Sequence, residues 1–272
     1  ERLAPIRETS LEPQVAPLEE DSPGDAPECC GESHRLRCGQ HLVSEVYDGC
    51  CPAGAEAAMD AVRALHPHWS EVNANTEIGR WVRWVRCSNN WVYGELSAES
   101  FPLLLERSAA DGGGSVESCR RETFVDLGCG SGKVLALASL HFSRCLGLEL
   151  QSEVRDLAGG LAERFQQRAA SRGLAVGKVE VHRADFLGKM TPQWRSAEGR
   201  PWWDVADVAY ACSPKFCEDT MRGLAECAAM MRSGSRFVTV RHALSNESIQ
   251  VVWRGEAIFS WGKDELIVHR KA

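Results

Sequence analysis

The feature that most constrains this chain is the run Phe124-Val125-Asp126-Leu127-Gly128-Cys129-Gly130-Ser131-Gly132-Lys133. A short apolar stretch predicts a buried strand, and three alternating glycines predict a turn that lets the backbone come close to a ligand. The residues from Lys133 predict a helix. Three classes of cofactor use such turns, and spacing separates them. A phosphate loop needs G-x-x-x-x-G-K-[ST]; here its first glycine position is Leu127 and Lys133 is followed by Val134. A dinucleotide fingerprint needs G-x-G-x-x-G, and its third glycine would fall on Lys133. The pattern present is acid-x-G-x-G-x-G.

From Thr123 onward, short apolar runs alternate with helical patterns. Strands are predicted at Thr123–Leu127, Cys145–Leu150, Val179–Arg183, Val205–Ala211 and Phe237–Val240. Helices are predicted around Lys133–Leu140, Val154–Ser171 and Glu218–Met231. Such alternation predicts an α/β fold with a parallel sheet covered on both faces. Three later runs, Ile249–Trp253, Ala257–Ser260 and Leu266–His269, read as an antiparallel addition at the sheet edge.

The acid-x-G-x-G-x-G loop resembles the cofactor loop of class I S-adenosyl-L-methionine methyltransferases, which implies a Rossmann-like doubly wound sheet. The residues suit that cofactor. Gly128, Gly130 and Gly132 admit the sulfonium–ribose region, Lys133 opens the following helix, and Asp126 meets the positively charged methionine moiety. Glu149 ends the second strand, where a carboxylate accepts ribose hydroxyls. Asp185 follows the third strand as an acceptor for the adenine amino group, and Phe186 covers the ring face. All three acids fall at the C-terminal ends of successive predicted strands, where open α/β sheets bind ligands.

Charge and composition narrow the reading further. The chain has 272 residues and a formal net charge of -7. Residues 1–28 hold eight acids, two bases and five prolines, and read as a disordered acidic tail. The rest is close to neutral, so any nucleic-acid contact must come from a local patch. No apolar run approaches the length of a membrane span, and the first residues lack the apolar core of a secretory signal. Twelve cysteines are therefore expected as reduced thiols. Cys29, Cys30, His34, Cys38, His41, Cys50 and Cys51 fit no standard zinc spacing and read as packed or free thiols and imidazoles, with no metal expected.

Residues 29–120 are expected to form a mainly helical N-terminal domain, and 121–272 the core. Ala53–His66 reads as a helix. Ser97–Arg107 reads as another, capped by Ser97 or Ser100 with Pro102 in its first turn. The connector Ala109–Ser115 marks the boundary. Arg80, Arg83 and Arg86, with Trp81 and Trp84 beside them, read first as the solvated face of a half-buried helix. They are also the candidate contact to DNA or a nucleosome surface.

A narrower resemblance rests on Val92-Tyr93-Gly94-Glu95 and on Ser260-Trp261-Gly262-Lys263. The first matches the V-Y-G-E loop of the non-SET histone lysine methyltransferases, the disruptor-of-telomeric-silencing family. The second resembles that family's S-W-x-G-K with one residue missing. The resemblance spans about Trp91 to Lys263 and implies methylation of a lysine in the globular part of histone H3 on nucleosomes, hence a nuclear location. Compact size and the acidic tail resemble the kinetoplastid branch. By this resemblance Tyr93 and Glu95 close over the cofactor, Phe216 and Trp261 wall the lysine channel, and Glu95 or solvent takes the lysine proton.

One segment departs from the family. Where the family has two asparagines before its aromatics, this chain has Cys212-Ser213-Pro214-Lys215-Phe216. Cys212 stands at the cofactor, and Ser213 or the local backbone is expected to supply the missing polar contact. The segment also resembles the [NDS]-P-P-[FY] motif of methyltransferases acting on nucleic-acid base amines, which is the second reading. A non-catalytic binding module on the same fold is the third. The sequence gives no oligomeric state.

Overall fold

The computed structural model describes residues 32–47, 96–108, 122–189 and 193–272. The acidic tail, the Ala53–His66 helix, the arginines at 80, 83 and 86, Tyr93, Glu95 and the 109–115 connector lie outside the described residues.

In chain order the elements are α1 (Glu32–Tyr47), α2 (Phe101–Ser108), β1 (Thr123–Leu127), α3 (Lys133–Ser139), β2 (Arg144–Glu149), α4 (Ser152–Ser171) and β3 (Lys178–Arg183). Then follow α5 (Trp202–Val205), β4 (Val208–Ala211), α6 (Glu218–Ala229), β5 (Arg236–Val240), β6 (Ile249–Phe259) and β7 (Gly262–Lys271). The seven strands form one sheet in the order β3-β2-β1-β4-β5-β7-β6. The first five are parallel, and β7 joins β5 antiparallel. This is the α/β Rossmann-like architecture expected of class I methyltransferases.

Side-chain alternation explains why the sheet is covered twice. Phe124, Val208, Tyr210, Val238 and Val240 enter one apolar cluster, beneath α3 and α4. Val125, Leu127, Leu146, Leu148, Ala209, Ala211 and Phe237 enter the other, beneath α5 and α6. Successive strand residues point to opposite faces, so runs apolar at every position fill two cores at once.

Two expectations change. The strand predicted over Val205–Ala211 begins only at Val208, because Trp202–Val205 closes into a helical turn after Pro201. Trp202 is fully buried there. The runs Ile249–Trp253 and Ala257–Ser260 belong mostly to one strand, β6, interrupted by an irregularity between Val251 and Trp253. Trp253 lies over Gly255, leaving no room for a side chain there, and the strand runs on through Arg254, Gly255 and Glu256 between the two predicted runs.

The segment read as thiols and imidazoles contains α1, which packs Leu42, Val43 and Val46 into the core shared with α3 and α4. Gly39 permits the approach: a methyl group there would meet Leu140 at 2.3 Å. Among the described residues no cluster of three or more acidic, histidine or cysteine side chains is arranged to hold a metal. No described helix is long and apolar enough to cross a membrane.

Helix α2 starts at Phe101, where Ser97 Oγ accepts the Ser100 N–H at 3.2 Å. Ser100 Oγ accepts the Ile258 N–H at 2.8 Å instead of capping the helix. Leu96 forms an isolated antiparallel bridge with Phe259, and Ser97 N–H donates to the Ile258 carbonyl at 2.9 Å. The stretch that leads into α2 is thereby sewn to the tip of the β6–β7 hairpin.

His269 on β7 is fully buried. Its Nε2 accepts the Leu244 N–H at 3.0 Å, which places the proton on Nδ1, 2.9 Å from the Phe237 carbonyl. Burial pulls its pKa down to about 4, against the pull of the Phe237 carbonyl. The unfolded chain therefore binds more protons than the folded one between the ordinary histidine value and about 4. Stability is expected to fall by up to about 3 kcal/mol as pH drops through that window. Urea unfolding from pH 7 to pH 4 checks this: a His269→Asn variant should lose that part of the slope.

Candidate functional site

The glycine turn is built by backbone geometry. Gly128, Gly130 and Gly132 have φ of 81°, 54° and 82°, in the region where side chains are strained. Gly128 N–H donates to the Leu148 carbonyl at 2.8 Å, so the turn folds back over the end of β2. Ala136 N–H donates to the Gly132 carbonyl at 3.1 Å, which starts α3 as the turn ends. Gly147 supplies the space. A methyl group on it would meet Leu135 at 2.5 Å and the Cys129 sulfur at 2.7 Å.

Glu149 braces this turn directly. Its Oε2 accepts the Gly130 N–H at 3.1 Å, and its Oε1 accepts the Gln151 N–H at 3.0 Å. Each oxygen keeps a second acceptor direction for a ligand hydroxyl. Burial pushes the Glu149 carboxyl up, opposed by the backbone N–H donors of Gln151, Gly130 and Leu150. Asp126 is buried in β1, directly across from Gly147 of β2. The Cys129 thiol is pushed well up by burial, then by the fields of Asp126 and Glu149. Both carboxylates thus act on the same few ångströms of the glycine turn. Cys129 stays a neutral thiol there, suited to packing and not to nucleophilic work.

Asp185 follows β3 and is also buried. Its Oδ1 accepts the Leu187 N–H at 2.8 Å, and Oδ2 accepts the Lys189 N–H at 2.7 Å. It therefore organises the turn that carries Phe186. Trp202 anchors that turn from beneath, with Nε1 donating to the Phe186 carbonyl at 2.8 Å. Trp202 was not among the sequence candidates. Its signal was a tryptophan pair directly after a proline, with an indole N–H that needs a partner once buried.

Phe186 and Phe216 stack, with ring centroids 5.9 Å apart and planes at 22°. The ring expected to cover the adenine and the ring expected to wall the amine channel are thus one contact. Cys212 is half-buried just past β4. Ser213 does not replace the family's polar contact. It is fully buried, its Oγ donates to the Val240 carbonyl at 2.9 Å, and it accepts the Val240 N–H at 3.0 Å. Trp261 sits in the turn of the β6–β7 hairpin, half-exposed, stacked on Phe259 with centroids 4.6 Å apart. Lys133 is half-buried at the first position of α3.

Asp126, Glu149 and Asp185 thus line up on β1, on β2 and just after β3, neighbours in the sheet. The donor set suits a cationic nucleoside. Carboxylates converge on the glycine turn, where a pyrophosphate would be repelled, while the sulfonium and ammonium of S-adenosyl-L-methionine are attracted. Ribose hydroxyls favour an ionised Glu149, so binding should expel the proton that burial helps this carboxyl retain. Cofactor affinity is expected to rise with pH through the Glu149 titration. Calorimetry should find that dependence absent in Glu149→Gln, with much weaker binding, and no measurable binding in Gly130→Arg.

Comparison with solved structures finds magnesium protoporphyrin IX methyltransferase from Synechocystis PCC 6803 with bound cofactor. It is 10% identical, with 78% of this chain and 91% of that chain covered and a TM-score of 0.44. Geranyl diphosphate C-methyltransferase from Streptomyces coelicolor A3(2) is 12% identical, with 64% and 79% covered and a TM-score of 0.43. An RNA methyltransferase from Salinibacter ruber is 15% identical, with 62% and 88% covered and a TM-score of 0.42. Comparison with curated proteins gives no match. A protein-family model described as histone methylation protein DOT1 matches residues 82–260, which include all of Val92–Glu95, the first residue of Ser260–Lys263 and every strand through β6. The chain belongs to this DOT1 family of histone methylation proteins, and its cofactor is S-adenosyl-L-methionine.

Proposed function

We propose that this methyltransferase acts on the side-chain amine of a lysine in the globular region of histone H3, presented on the nucleosome, and that it works in the nucleus. The observation that carries the reading is the pairing of Leu96 with Phe259. Leu96 directly follows Val92-Tyr93-Gly94-Glu95, and Phe259 directly precedes Ser260-Trp261-Gly262-Lys263. The residue that follows one motif and the residue that precedes the other, distant in sequence, are thus paired.

In this reading Gly128, Gly130, Gly132, Asp126, Lys133, Glu149, Asp185, Phe186 and Cys212 hold the cofactor, with Tyr93 and Glu95 closing over it. When bound, the cofactor supplies a methyl group on a positively charged sulfur. The acceptor amine must be uncharged and in line with that bond. A lysine of ordinary pKa is neutral about once in 10³ at neutral pH, a handicap of roughly 4 kcal/mol. Phe216 and Trp261 contribute apolar walls that desolvate the ammonium and lower its pKa. The lysine proton leaves to Glu95 or to solvent. Alignment between the walls supplies much of the remaining rate. Arg80, Arg83 and Arg86 are the proposed contact to DNA or the nucleosome surface.

The base-methylating alternative draws on Ser213-Pro214-Lys215-Phe216. A serine receiving a base amine must be open to it, and Ser213 is fully buried with its hydroxyl bonded to both the carbonyl and the N–H of Val240. That weighs against the alternative. A side-by-side assay with labelled cofactor decides between them. Nucleosomes or histone H3 should be labelled in preference to DNA and RNA, and preferential labelling of nucleic acid would overturn the proposal. Cofactor binding without turnover on any histone substrate would instead favour a non-catalytic module. Phe216→Ala should lower kcat/KM on the histone substrate on the order of 10²-fold.

A further inference from the structure

Arg241 is the single non-glycine residue with positive φ among the described residues, at 66°. It follows β5 at the end of the sheet that carries the site. An L-residue held there carries a strain cost, and a glycine would occupy the position freely. The side chain shows why an arginine is held against that cost. Its Nη2 lies 2.5 Å from Asp264 Oδ2 and its Nε 3.2 Å from Asp264 Oδ1, a two-pronged grip. Its backbone N–H donates to the Glu265 carbonyl at 2.8 Å, which carries the β5–β7 pairing into the turn.

Asp264 passes the grip on. Its side chain is 7% exposed, and the same Oδ2 accepts the Trp261 indole N–H at 3.2 Å. Oδ1 also accepts the Glu265 N–H at 2.9 Å. Burial pushes this carboxyl up, but the Arg241 guanidinium, the Glu265 N–H and the Trp261 indole hold it below its ordinary value. Trp261 is therefore fixed twice, by its stack on Phe259 and by its N–H on Asp264. The indole nevertheless keeps 40% of its surface exposed.

The other side of the same turn holds the Phe216 segment. Ser213 Oγ bonds both the N–H and the carbonyl of Val240, and His242 Nε2 lies 3.4 Å from the Pro214 carbonyl. Thr239 Oγ1 closes the turn by donating to the His242 carbonyl at 2.7 Å. One three-residue turn, Val240–His242, is thus anchored to both segments that bear the channel aromatics.

We propose that Arg241 is a positioning residue: through Asp264 it holds the Trp261 indole at the pocket mouth, and with the Ser213 latch it sets the two aromatic walls for the incoming amine. This rests on the lysine-methylation reading for its consequence, and on the indole contact for its structure.

The test uses the full chain with nitrogen-15 in its tryptophans. The Trp261 indole resonance is assigned by its loss in Trp261→Phe. Arg241→Gly keeps the turn free of strain and removes the grip; Asp264→Asn removes the charge that joins the two. Both should speed solvent exchange of the indole proton about tenfold or more, as expected when a local contact opens. Both should raise KM for the histone substrate about tenfold, with kcat less affected and calorimetric cofactor affinity within about twofold. Arg241→Lys should fall between these and the parent. An indole proton that exchanges at the parent rate in both variants overturns the proposal, as does an unchanged KM on a histone substrate the parent methylates. If the parent methylates no histone, the lysine reading fails, and the indole exchange still decides the clamp.

Discussion

The carboxylate of Glu149 is the point on which the rest of the pocket depends. It sits at the last residue of β2, where one oxygen takes the Gly130 N–H and the other takes the Gln151 N–H. Those two bonds tie the glycine turn to the neighbouring strand and to the entrance of α4. A buried carboxylate is costly unless its acceptors are filled. Here two backbone donors, the Gly130 and Gln151 N–H groups, fill part of that need. The carboxylate proposed to recognise the ligand is also the group that shapes the glycine turn, so in that reading ligand affinity and loop geometry cannot be tuned apart.

The parallel part of the fold was readable because its physical signals are local. A strand buried on both faces must be apolar at consecutive positions, and β1 was found at its predicted residues, Thr123–Leu127. The turn was readable because only glycine serves three positive-φ positions in five residues. Elements whose stability comes from distant partners were harder. Helix α1 has only a modest apolar face and is held by Leu42, Val43 and Val46 against helices from the core. The long β6 reads in sequence as two runs on either side of Arg254-Gly255-Glu256, and its continuity rests on pairing with β7.

The site divides in the same way. Asp126, Glu149 and Asp185 could be picked out because each falls at or near the C-terminal end of a strand pattern, and they sit toward the same end of three adjacent strands. What the acids do for the protein itself was not visible. Asp185 caps the turn at Leu187 and Lys189, and Glu149 reaches back 19 positions to Gly130. Ser213 looked available to a ligand and is instead spent on Val240, a partner 27 positions away. A hydroxyl's partner is decided by the sheet, and no spacing within a motif reveals it.

The bridge between Leu96 and Phe259 has a consequence for biosynthesis. A chain emerging from the ribosome makes the parallel strands in order, each able to pair with one already present. The Leu96–Phe259 bridge cannot form then, because the earlier segment must wait for a hairpin synthesised more than 150 positions later. Contacts of that separation close late and slowly. A nascent chain can therefore hold the whole parallel sheet while the strap from Leu96 to the hairpin is still missing.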